Sequence, residues 1–214
     1  MDGQKTYHHG DLRAALLDAA VEELAATGLE GFSLRKVAKR AGVSHAAPAH
    51  HFKDAAGLLT ALATKGFREF VAAQEAREAN AAPDPVSRLK AQGLGYIDFA
   101  RDQTALFRLM FSSDRPRGHD PDLADAADAA YMKLADTVGD VAGIHPFHHP
   151  RAQEAASAIW ALAHGLGDLV SSGHLVALVA LSEEEQEASI LRMFDALIPE
   201  RITAEAGAPV LPRG

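Results

Sequence analysis

The stretch SLRKVAKRAGVSHAAPAHHFK, residues 33–53, decides how the first part of the chain folds. It contains two short helical patterns separated by a corner at Gly42, and glycine adopts the left-handed backbone with which helices commonly end. Ser33 and Ser44 stand where the N-cap of each helix is expected, because a serine hydroxyl accepts a hydrogen bond from the first helical turn. The pattern is typical of a helix-turn-helix, and it predicts that the second helix, about residues 44–51, is the recognition helix.

The charge of this stretch differs from that of the rest of the chain. It contains five Lys and Arg residues and no Asp or Glu, whereas the whole chain has 21 basic and 29 acidic residues and a net charge of −8. Residues 1–53 carry 7 basic and 6 acidic residues, and the remainder carries 14 and 23. A basic segment on an acidic protein is typical of a small DNA-contacting domain, although a solvated helix face gives the same pattern.

Pro48 allows two registers for the recognition helix. If Ser44 is the N-cap, Pro48 is the fourth helical residue and removes one hydrogen bond from the helix. If the helix begins later, Pro48 lies in the first turn, where a missing N–H costs little. The sequence leaves both registers open.

Helical patterns continue through the rest of the chain. Alanine is abundant and β-branched residues do not alternate with polar ones, so we predict an all-α fold of about nine helices. Asp54, Asp84-Pro85 and Asp120-Pro121 are helix-start signals, because Asp is a good N-cap and Pro suits the first helical position. Ser182 and Glu185 have the spacing of a capping box.

Composition and motifs argue against several classes of protein. The chain contains no Cys, which excludes disulfides and thiolate metal sites. No apolar run reaches 18 residues and the N-terminus is polar, so we expect neither a membrane span nor a signal peptide, and we predict a cytoplasmic location. Motifs for a nucleophilic serine, a phosphate loop, a zinc protease or a dinucleotide are missing, so we expect no enzymatic activity and no cofactor.

Residues 7–70 resemble the N-terminal DNA-binding domain of the TetR family of transcriptional regulators. The matching stretches are YHHGDLRAALLDAAVEELAATGLEGFSLRKVAKRAGVS and HHFKDAAGLLTALATKGF. A shorter stretch, WALAHG at residues 160–165, resembles the Trp-His-Gly signature of one subgroup's C-terminal domain. Where the family usually has Leu-Tyr before the His-Phe of the recognition helix, this chain has Pro48-Ala49, so the Tyr that commonly touches a phosphate is missing.

The resemblance implies a regulator, more often a repressor, that binds palindromic double-stranded operator DNA as a homodimer and is released by a small-molecule inducer. The implied domains are a helix-turn-helix DNA-binding domain, a helical ligand-binding and dimerisation domain, and a tail, at residues 1–54, 55–199 and 200–214. The dimer is expected through the last two long helices. The apolar stripe of the final helix is also compatible with an intramolecular core.

A DNA-reading head needs some side chains for phosphates and others for base edges. The predicted phosphate contacts are Arg35, Lys36, Lys39 and Lys53, together with the helix N-termini at Ser33 and Ser44. The predicted base-reading residues are Ser44, His45, Ala46, Ala47 and His50. None of these is Arg, Asn or Gln, so we expect specificity from apolar and water-mediated contacts or from DNA shape. In the N-terminal arm, Lys5, His8 and His9 fit either a phosphate contact or a solvated terminus.

Bulky apolar residues of the body predict the inducer site. The resemblance implies a small-molecule pocket between the fourth and eighth helices. The candidate contacts with a small, largely apolar ligand are Phe99, Phe107, Met110, Phe111, Trp160 and His164. Trp160 and His164 are four residues apart, which places them on one helix face. A lone His on such a face is, however, more often a hydrogen-bonded core residue.

Two other interpretations remain open. The loop with His145, His148 and His149 suggests a helical metal-sensing or small-molecule-binding protein, although the loop contains two prolines and Glu154 is the one nearby carboxylate. For this reason no metal site is predicted. The second alternative is a helical interaction protein whose head does not bind DNA.

Overall fold

The computed structural model describes the backbone of residues 9–199 and the side chains of residues 12–199. The predicted DNA contacts of Lys5, His8 and His9 and the predicted tail at 200–214 lie outside the described side chains. The described part contains ten α-helices, one 3₁₀-helix and no β-strand, which confirms the all-α class. The helices are α1 (His9–Gly31), α2 (Leu34–Arg40), α3 (Ala47–Phe52), α4 (Ala55–Glu78), α5 (Pro85–Asp102), α6 (Thr104–Phe111), α7 (Pro121–Ala142), the 3₁₀-helix (Pro146–His148), α8 (Pro150–Ser171), α9 (Val176–Val179) and α10 (Glu183–Asp195).

The predicted helix-start signals are confirmed. At the starts of α4, α5 and α7, Oδ1 of Asp54, Asp84 and Asp120 accepts a hydrogen bond from the backbone N–H three residues later, at 2.8, 2.9 and 3.1 Å. Ser182 and Glu185 form the reciprocal capping box at the start of α10. Backbone N–H donors stabilise the charged carboxylates, so the hydrogen bond from Gly57 lowers the pKa of Asp54, and the one from Ser182 lowers the pKa of Glu185.

Two helix predictions differ from the structure. The short helix α9, which raises the predicted count by one, has no cap signal in the sequence and is held by the burial of Leu178. A proline cannot continue a helix, so Pro199 predicts the end of the last helix, but α10 already ends at Asp195. The N–H groups of Leu197 and Ile198 both donate to the carbonyl of Phe194, so the chain leaves the helix in a tight turn before the proline.

The chain divides into two compact units, and the first contains residues 1–67 and 103–126. Its described helices are α1, α2, α3, α6 and the first parts of α4 and α7. The core is made by apolar residues of these helices, and its large side chains that are at most 1% exposed are Leu16, Leu24, Val37, Leu58, Leu62, Leu106, Phe107 and Leu109. The helix-turn-helix is therefore built on a core that α6 shares, and α1 packs against both α2 and α6.

The second unit contains residues 68–102 and 127–214. Helix α5 packs against α8 and α10, and Phe194 of α10 lies directly over Gly93, where a Cβ atom would approach its ring to 2.4 Å. In the buried interior, the Gln92 amide donates a hydrogen bond of 2.6 Å to the Thr137 hydroxyl and so links α5 to α7. Among the described residues, no helix has both the length and the hydropathy needed to cross a membrane.

Candidate functional site

The corner after α2 is a Schellman motif. Gly42 has a φ of 68°, and its N–H donates to the carbonyl of Lys39 at 3.2 Å. The N–H of Val43 donates to the carbonyl of Ala38 at 3.0 Å. These two bonds provide donors for carbonyl groups that have no hydrogen-bond partner within the helix at its C-terminal end. They also fix the direction in which the chain continues toward α3, as the corner glycine predicted.

The recognition helix begins later than the sequence pattern suggested. Ser44 was predicted to cap a helix over residues 44–51, but α3 begins at Ala47 and its N-cap is Ala46, which makes no side-chain capping bond. The reason is Pro48, which occupies the second helical position, where no backbone N–H is needed. The first intrahelical bond runs from His50 N–H to Ala46 O at 3.1 Å. Of the two registers for Pro48, the structure therefore adopts the later one.

Helix α3 is anchored by its apolar residues and keeps its polar face open. Pro48 and Phe52 are buried, and the Arg13 guanidinium of α1 lies 5.1 Å from the centre of the Phe52 ring. Four of the predicted base-reading residues are exposed and the fifth, Ala47, is half-buried; the exposed ones are Ser44, His45, Ala46 and His50. The residues predicted to read bases therefore lie in one largely exposed segment, residues 44–50.

The basic residues of α2 fall into two groups. Lys36 Nζ donates a hydrogen bond of 2.8 Å to Gly31 O, and Arg40 donates to the carboxylate of Glu23 at 2.9 Å. Gly31 and Glu23, which is only 4% exposed, both belong to α1, so these two bonds join α2 to α1. The side chains of Arg35 and Lys39 are exposed and bind no other residue of the described chain, so they remain available for a phosphate.

Three predicted phosphate contacts remain, of which Ser44 is not at a helix N-terminus, because α3 begins at Ala47. Ser33 and Lys53 lie at the two ends of the helix-turn-helix. Ser33 is the N-cap of α2, and its hydroxyl accepts a hydrogen bond of 3.3 Å from Lys36 N–H, as predicted. Lys53 is exposed and directly follows α3, where its backbone takes an unusual positive φ of 69°.

Tyr96 joins the predicted Trp160 and His164 pair in the second unit. The Tyr96 hydroxyl lies 2.8 Å from His164 Nδ1, and the two rings meet edge to face at 6.2 Å. Burial raises the pKa of the Tyr96 phenol well above its ordinary value, and a hydrogen bond from Trp160 opposes that rise. Tyr96 therefore stays neutral and can donate to His164. Tyr96 is not among the ligand contacts predicted from the sequence. The signal that could have found it is a tyrosine among apolar helix residues, because a buried phenol needs a hydrogen-bond partner.

Trp160 belongs to an aromatic group at the surface. The Tyr131 ring lies 6.0 Å from the indole and 6.2 Å from the Phe147 ring. Trp160 and Phe147 are 42% and 49% exposed, so this face of α8 meets solvent in the single chain. The aromatic partners come from α7 and from the 3₁₀-helix. The sequence did not predict that they contact Trp160, because they lie on other helices.

The other four predicted ligand contacts occur in both units. In the second unit, Phe99 is 3% exposed and packs edge to face on Phe70 at 5.6 Å. In the first unit, Phe107 and Phe111 are 5.2 Å apart, and the Phe111 ring packs on Phe67 at 5.5 Å. Met110 lies against Gly66, where a Cβ atom would approach its Sδ to 2.5 Å.

A cavity of about 540 Å³ lies elsewhere in the second unit. Arg77 lines it, with Nε 2.6 Å from Asp98 Oδ2 and Nη1 2.8 Å from Glu187 Oε2. The hydrogen bond to Asp98 raises the pKa of Arg77, so the guanidinium stays charged. The walls come from α5, α8 and α10 and include Leu94, Ile97, Val170, Ile190 and Leu191. None of the six predicted ligand contacts lines this cavity.

The histidine loop has a structural role in helix capping. His145 Nδ1 accepts a hydrogen bond from Phe147 N–H, and His149 Nδ1 accepts one from Arg151 N–H, both at 3.3 Å. These histidines are the N-caps of the 3₁₀-helix and of α8. Within the described chain, no three His, Asp or Glu side chains are grouped so that they could hold a metal ion.

Comparison with known proteins matches both parts of the chain to one family. Residues 16–62 match the bacterial regulatory proteins of the tetR family, and residues 89–197 match the tetracyclin repressor-like C-terminal domain. The HTH-type transcriptional regulator BetI of Burkholderia cenocepacia (strain HI2424) is 31% identical over 155 residues, which cover 72% of this chain and 79% of that protein. BetI of Burkholderia mallei (strain NCTC 10229) is similar to the same extent.

Solved structures show the same fold. A protein of unknown function from Rhodococcus sp. RHA1 has a TM-score of 0.75 and 31% identity, over 92% of this chain and all of that one. A tetR-family regulatory protein from Rhodococcus RHA1 has a TM-score of 0.62 and 21% identity, over 87% of this chain and 96% of that one.

Proposed function

The chain belongs to the TetR family of bacterial transcriptional regulators, and we propose that it is a ligand-responsive repressor that binds palindromic operator DNA as a homodimer. The observation that carries this proposal is the open face of the helix-turn-helix. Ser44 and His45 before α3 and His50 within it are exposed, and so are Arg35 and Lys39 of α2, which have no side-chain partner among the described residues. The proposed site of action is the cytoplasm, and the proposed domains are residues 1–54 for DNA and 55–199 for ligand and dimer.

In this proposal the DNA contacts divide by chemistry. Arg35, Lys39 and Lys53 bind phosphates, and Ser33 offers its helix N-terminus. Lys36 contributes less, because Gly31 O already holds its ammonium group. The base edges meet Ser44, His45, Ala46, Ala47 and His50. Histidine makes single hydrogen bonds and alanine contacts thymine methyl groups, so these residues read the sequence without bidentate pairs.

The proposed dimer uses α8 and α10. On α10, Ile190 and Phe194 are buried in the core, whereas Met193 is 38% exposed, and Leu197, just after the helix, is 37% exposed. Leu169 of α8 is 40% exposed. The apolar stripe of α10 thus supports both alternatives that the sequence left open, because one part is core and the other is free to pack against a second chain.

The proposed ligand site lies at Trp160, His164 and Tyr96. The phenol and imidazole supply one polar anchor, and the neighbouring aromatic rings supply apolar surface, which suits a small, largely apolar molecule. Phe99 of the same unit is a further proposed contact, whereas Phe107, Met110 and Phe111 are proposed ligand contacts of the first unit. The subgroup suggested by Trp160, His164 and Gly165 is part of this proposal.

Ligand titrations of the complex with operator DNA test this function. A releasing ligand must bind the free protein better than the DNA-bound form, and a coupling of about 1–3 kcal/mol lowers operator affinity roughly 5- to 150-fold. Trp160 is the single Trp of the chain, so its fluorescence reports on this site. We expect the ligand concentration that releases DNA to match the one that changes the emission.

Alanine variants supply the control for that experiment. Trp160→Ala and His164→Ala should shift the release midpoint, whereas Arg151→Ala, at the exposed start of the same helix, should not. A releasing ligand that left the Trp160 emission unchanged, and that acted normally on both variants, would place the ligand site elsewhere. If the wild-type protein did not bind DNA, the proposed function as a DNA-binding regulator would be wrong.

A further inference from the structure

The turn between the recognition helix and α4 is strained. Lys53 has φ 69° and ψ −59°, and it is the one non-glycine residue with positive φ in the described chain. The N–H of Asp54 donates to the carbonyl of Phe52 at 2.9 Å, which closes a γ-turn around Lys53. A γ-turn with these angles is rare and costly for a residue with a side chain, and such strain persists only where neighbouring contacts impose it.

Asp54 and Arg117 make those contacts. Asp54 Oδ1 caps α4 by accepting Gly57 N–H at 2.8 Å, and its Oδ2 binds Arg117 Nη2 at 2.5 Å. Arg117 is held in turn by its own backbone N–H, which donates to the hydroxyl of Thr60 at 2.9 Å. Thr60 is 3% exposed and belongs to the rigid second turn of α4. Arg117 is therefore tied both to the helix and to the residue that follows Lys53.

Gly57 shows how closely these parts approach one another. A Cβ atom at this position would lie 2.0 Å from the carbonyl oxygen of Phe52 and 3.0 Å from Arg117 Nη1. The end of α3, the start of α4 and the Arg117 side chain thus meet at one point within the first unit. Only a residue without a side chain fits there.

We propose that Arg117 is a positioning residue for DNA binding, which fixes Lys53 and the end of the recognition helix through Asp54. This inference rests on the DNA-binding function proposed above. Without Arg117, the Asp54 carboxylate is free to pair with the adjacent Lys53, and the γ-turn loses its support.

The role proposed for Arg117 differs from a contribution to overall stability. The side chains of Arg117 and Asp54 are 44% and 57% exposed. Ion pairs at such exposure contribute little to the free energy of unfolding, because solvent screens the charges. Loss of Arg117 should therefore change the geometry at Lys53 and leave the thermal unfolding midpoint nearly unchanged.

Operator binding by the full-length protein tests the proposal, with fluorescein-labelled duplex recovered from random DNA as the probe. We expect Arg117→Ala to weaken binding roughly tenfold, the size of one charge-assisted contact, and to make the salt slope shallower by about one unit. Arg117→Lys should restore most of the affinity. Arg115→Ala is the matched control, because Arg115 lies on the same loop, pairs with Glu30 at 3.0 Å and is 50% exposed. Its affinity should stay within about twofold of the wild type.

A double-variant comparison separates positioning from direct contact. In a Lys53→Ala protein, Arg117→Ala should cause almost no further loss, since Arg117 acts through Lys53. An undiminished loss in that background would mean that Arg117 itself touches DNA, and the positioning role would be wrong. Equal affinity of Arg117→Ala and the wild type would also overturn it.

Amide hydrogen exchange without DNA tests the same contact independently of the regulator function. The N–H groups of Asp54 and Gly57 should exchange faster in Arg117→Ala than in Arg115→Ala, because their hydrogen bonds lose support. Unchanged exchange at both amides would contradict the inference even if the protein proved not to bind DNA. Faster exchange in a protein that binds no duplex would instead refute the DNA-binding function alone.

Discussion

At the scale of single residues, the basic side chains of the head differ in their partners. The sequence predicted the basic stretch and its cap at Ser33 because both depend on neighbouring residues. It did not predict that Glu23, one helix earlier, is buried and binds Arg40. That pairing depends on how α1 and α2 pack, which local spacing does not encode.

Lys39 and Lys36 offer a matched pair of charges on α2. Lys39→Ala should weaken DNA binding on every sequence and make the salt slope shallower by about one unit, because one phosphate contact is lost. Lys36→Ala should leave the slope nearly unchanged, since the Lys36 ammonium binds Gly31 O. Fluorescence titrations at several salt concentrations measure both. A larger slope change for Lys36→Ala than for Lys39→Ala would reverse this assignment.

Lys53 and His50 should affect DNA binding in different ways. Lys53→Ala removes a predicted phosphate contact, so affinity should fall about equally on all sequences and the salt slope should fall by roughly one unit. His50→Ala should change the preferred bases, because His50 is exposed on α3. Selection of bound DNA by each variant decides between these outcomes. Altered base preference in Lys53→Ala, with its salt slope unchanged, would show that the two roles are misassigned.

At the scale of helices, predictions succeeded where one local signal decides the structure. Asp-Pro pairs began α5 and α7, and Gly42 and Gly173, both with positive φ, ended α2 and α8. The start of α3 was wrong because a serine and a proline gave competing signals, and the proline prevailed. The Tyr96–His164 contact joins residues 68 positions apart, so it depends on the packing of α5 against α8.

Gly167 allows the close packing of α5 and α8. A Cβ atom there would lie 2.9 Å from the Ala100 Cβ and 3.6 Å from the Tyr96 ring. Gly167→Ala should therefore reduce the free energy of unfolding by about 1–3 kcal/mol, the usual cost of overpacking. Urea denaturation measures the change, with Ser157→Ala on the exposed side of α8 as control. A more stable Gly167→Ala protein would show that the two helices pack less closely than the structure describes.

At the scale of the whole molecule, DNA binding and the proposed dimer require each other. Two recognition helices can enter successive major grooves only if two chains are held together by a two-fold interface. The exposed apolar residues of α8 and α10 are the proposed surface. The sequence could not predict this exposure, because the apolar residues of α10 have the same spacing whether they face the core or a second chain.

Met193 tests that surface. It is 38% exposed on α10, so Met193→Arg should leave the fold intact but place a charge in the proposed interface. Sedimentation should show a dimer for the wild type and a monomer for the variant at micromolar concentration. Glu184→Arg, a charge change at the exposed start of α10, is the control. A Met193→Arg protein that remained dimeric with unchanged affinity would move the interface away from this face.

The central claim is that two copies of this chain read DNA together, and selection of bound sequences from random DNA tests it most directly. We predict an inverted repeat whose half-site centres are roughly one helical turn, about 34–36 Å, or a multiple of it apart, because both recognition helices approach one face of the duplex. Recovery of single, unrepeated half-sites, or of no preferred sequence at all, would contradict the claim.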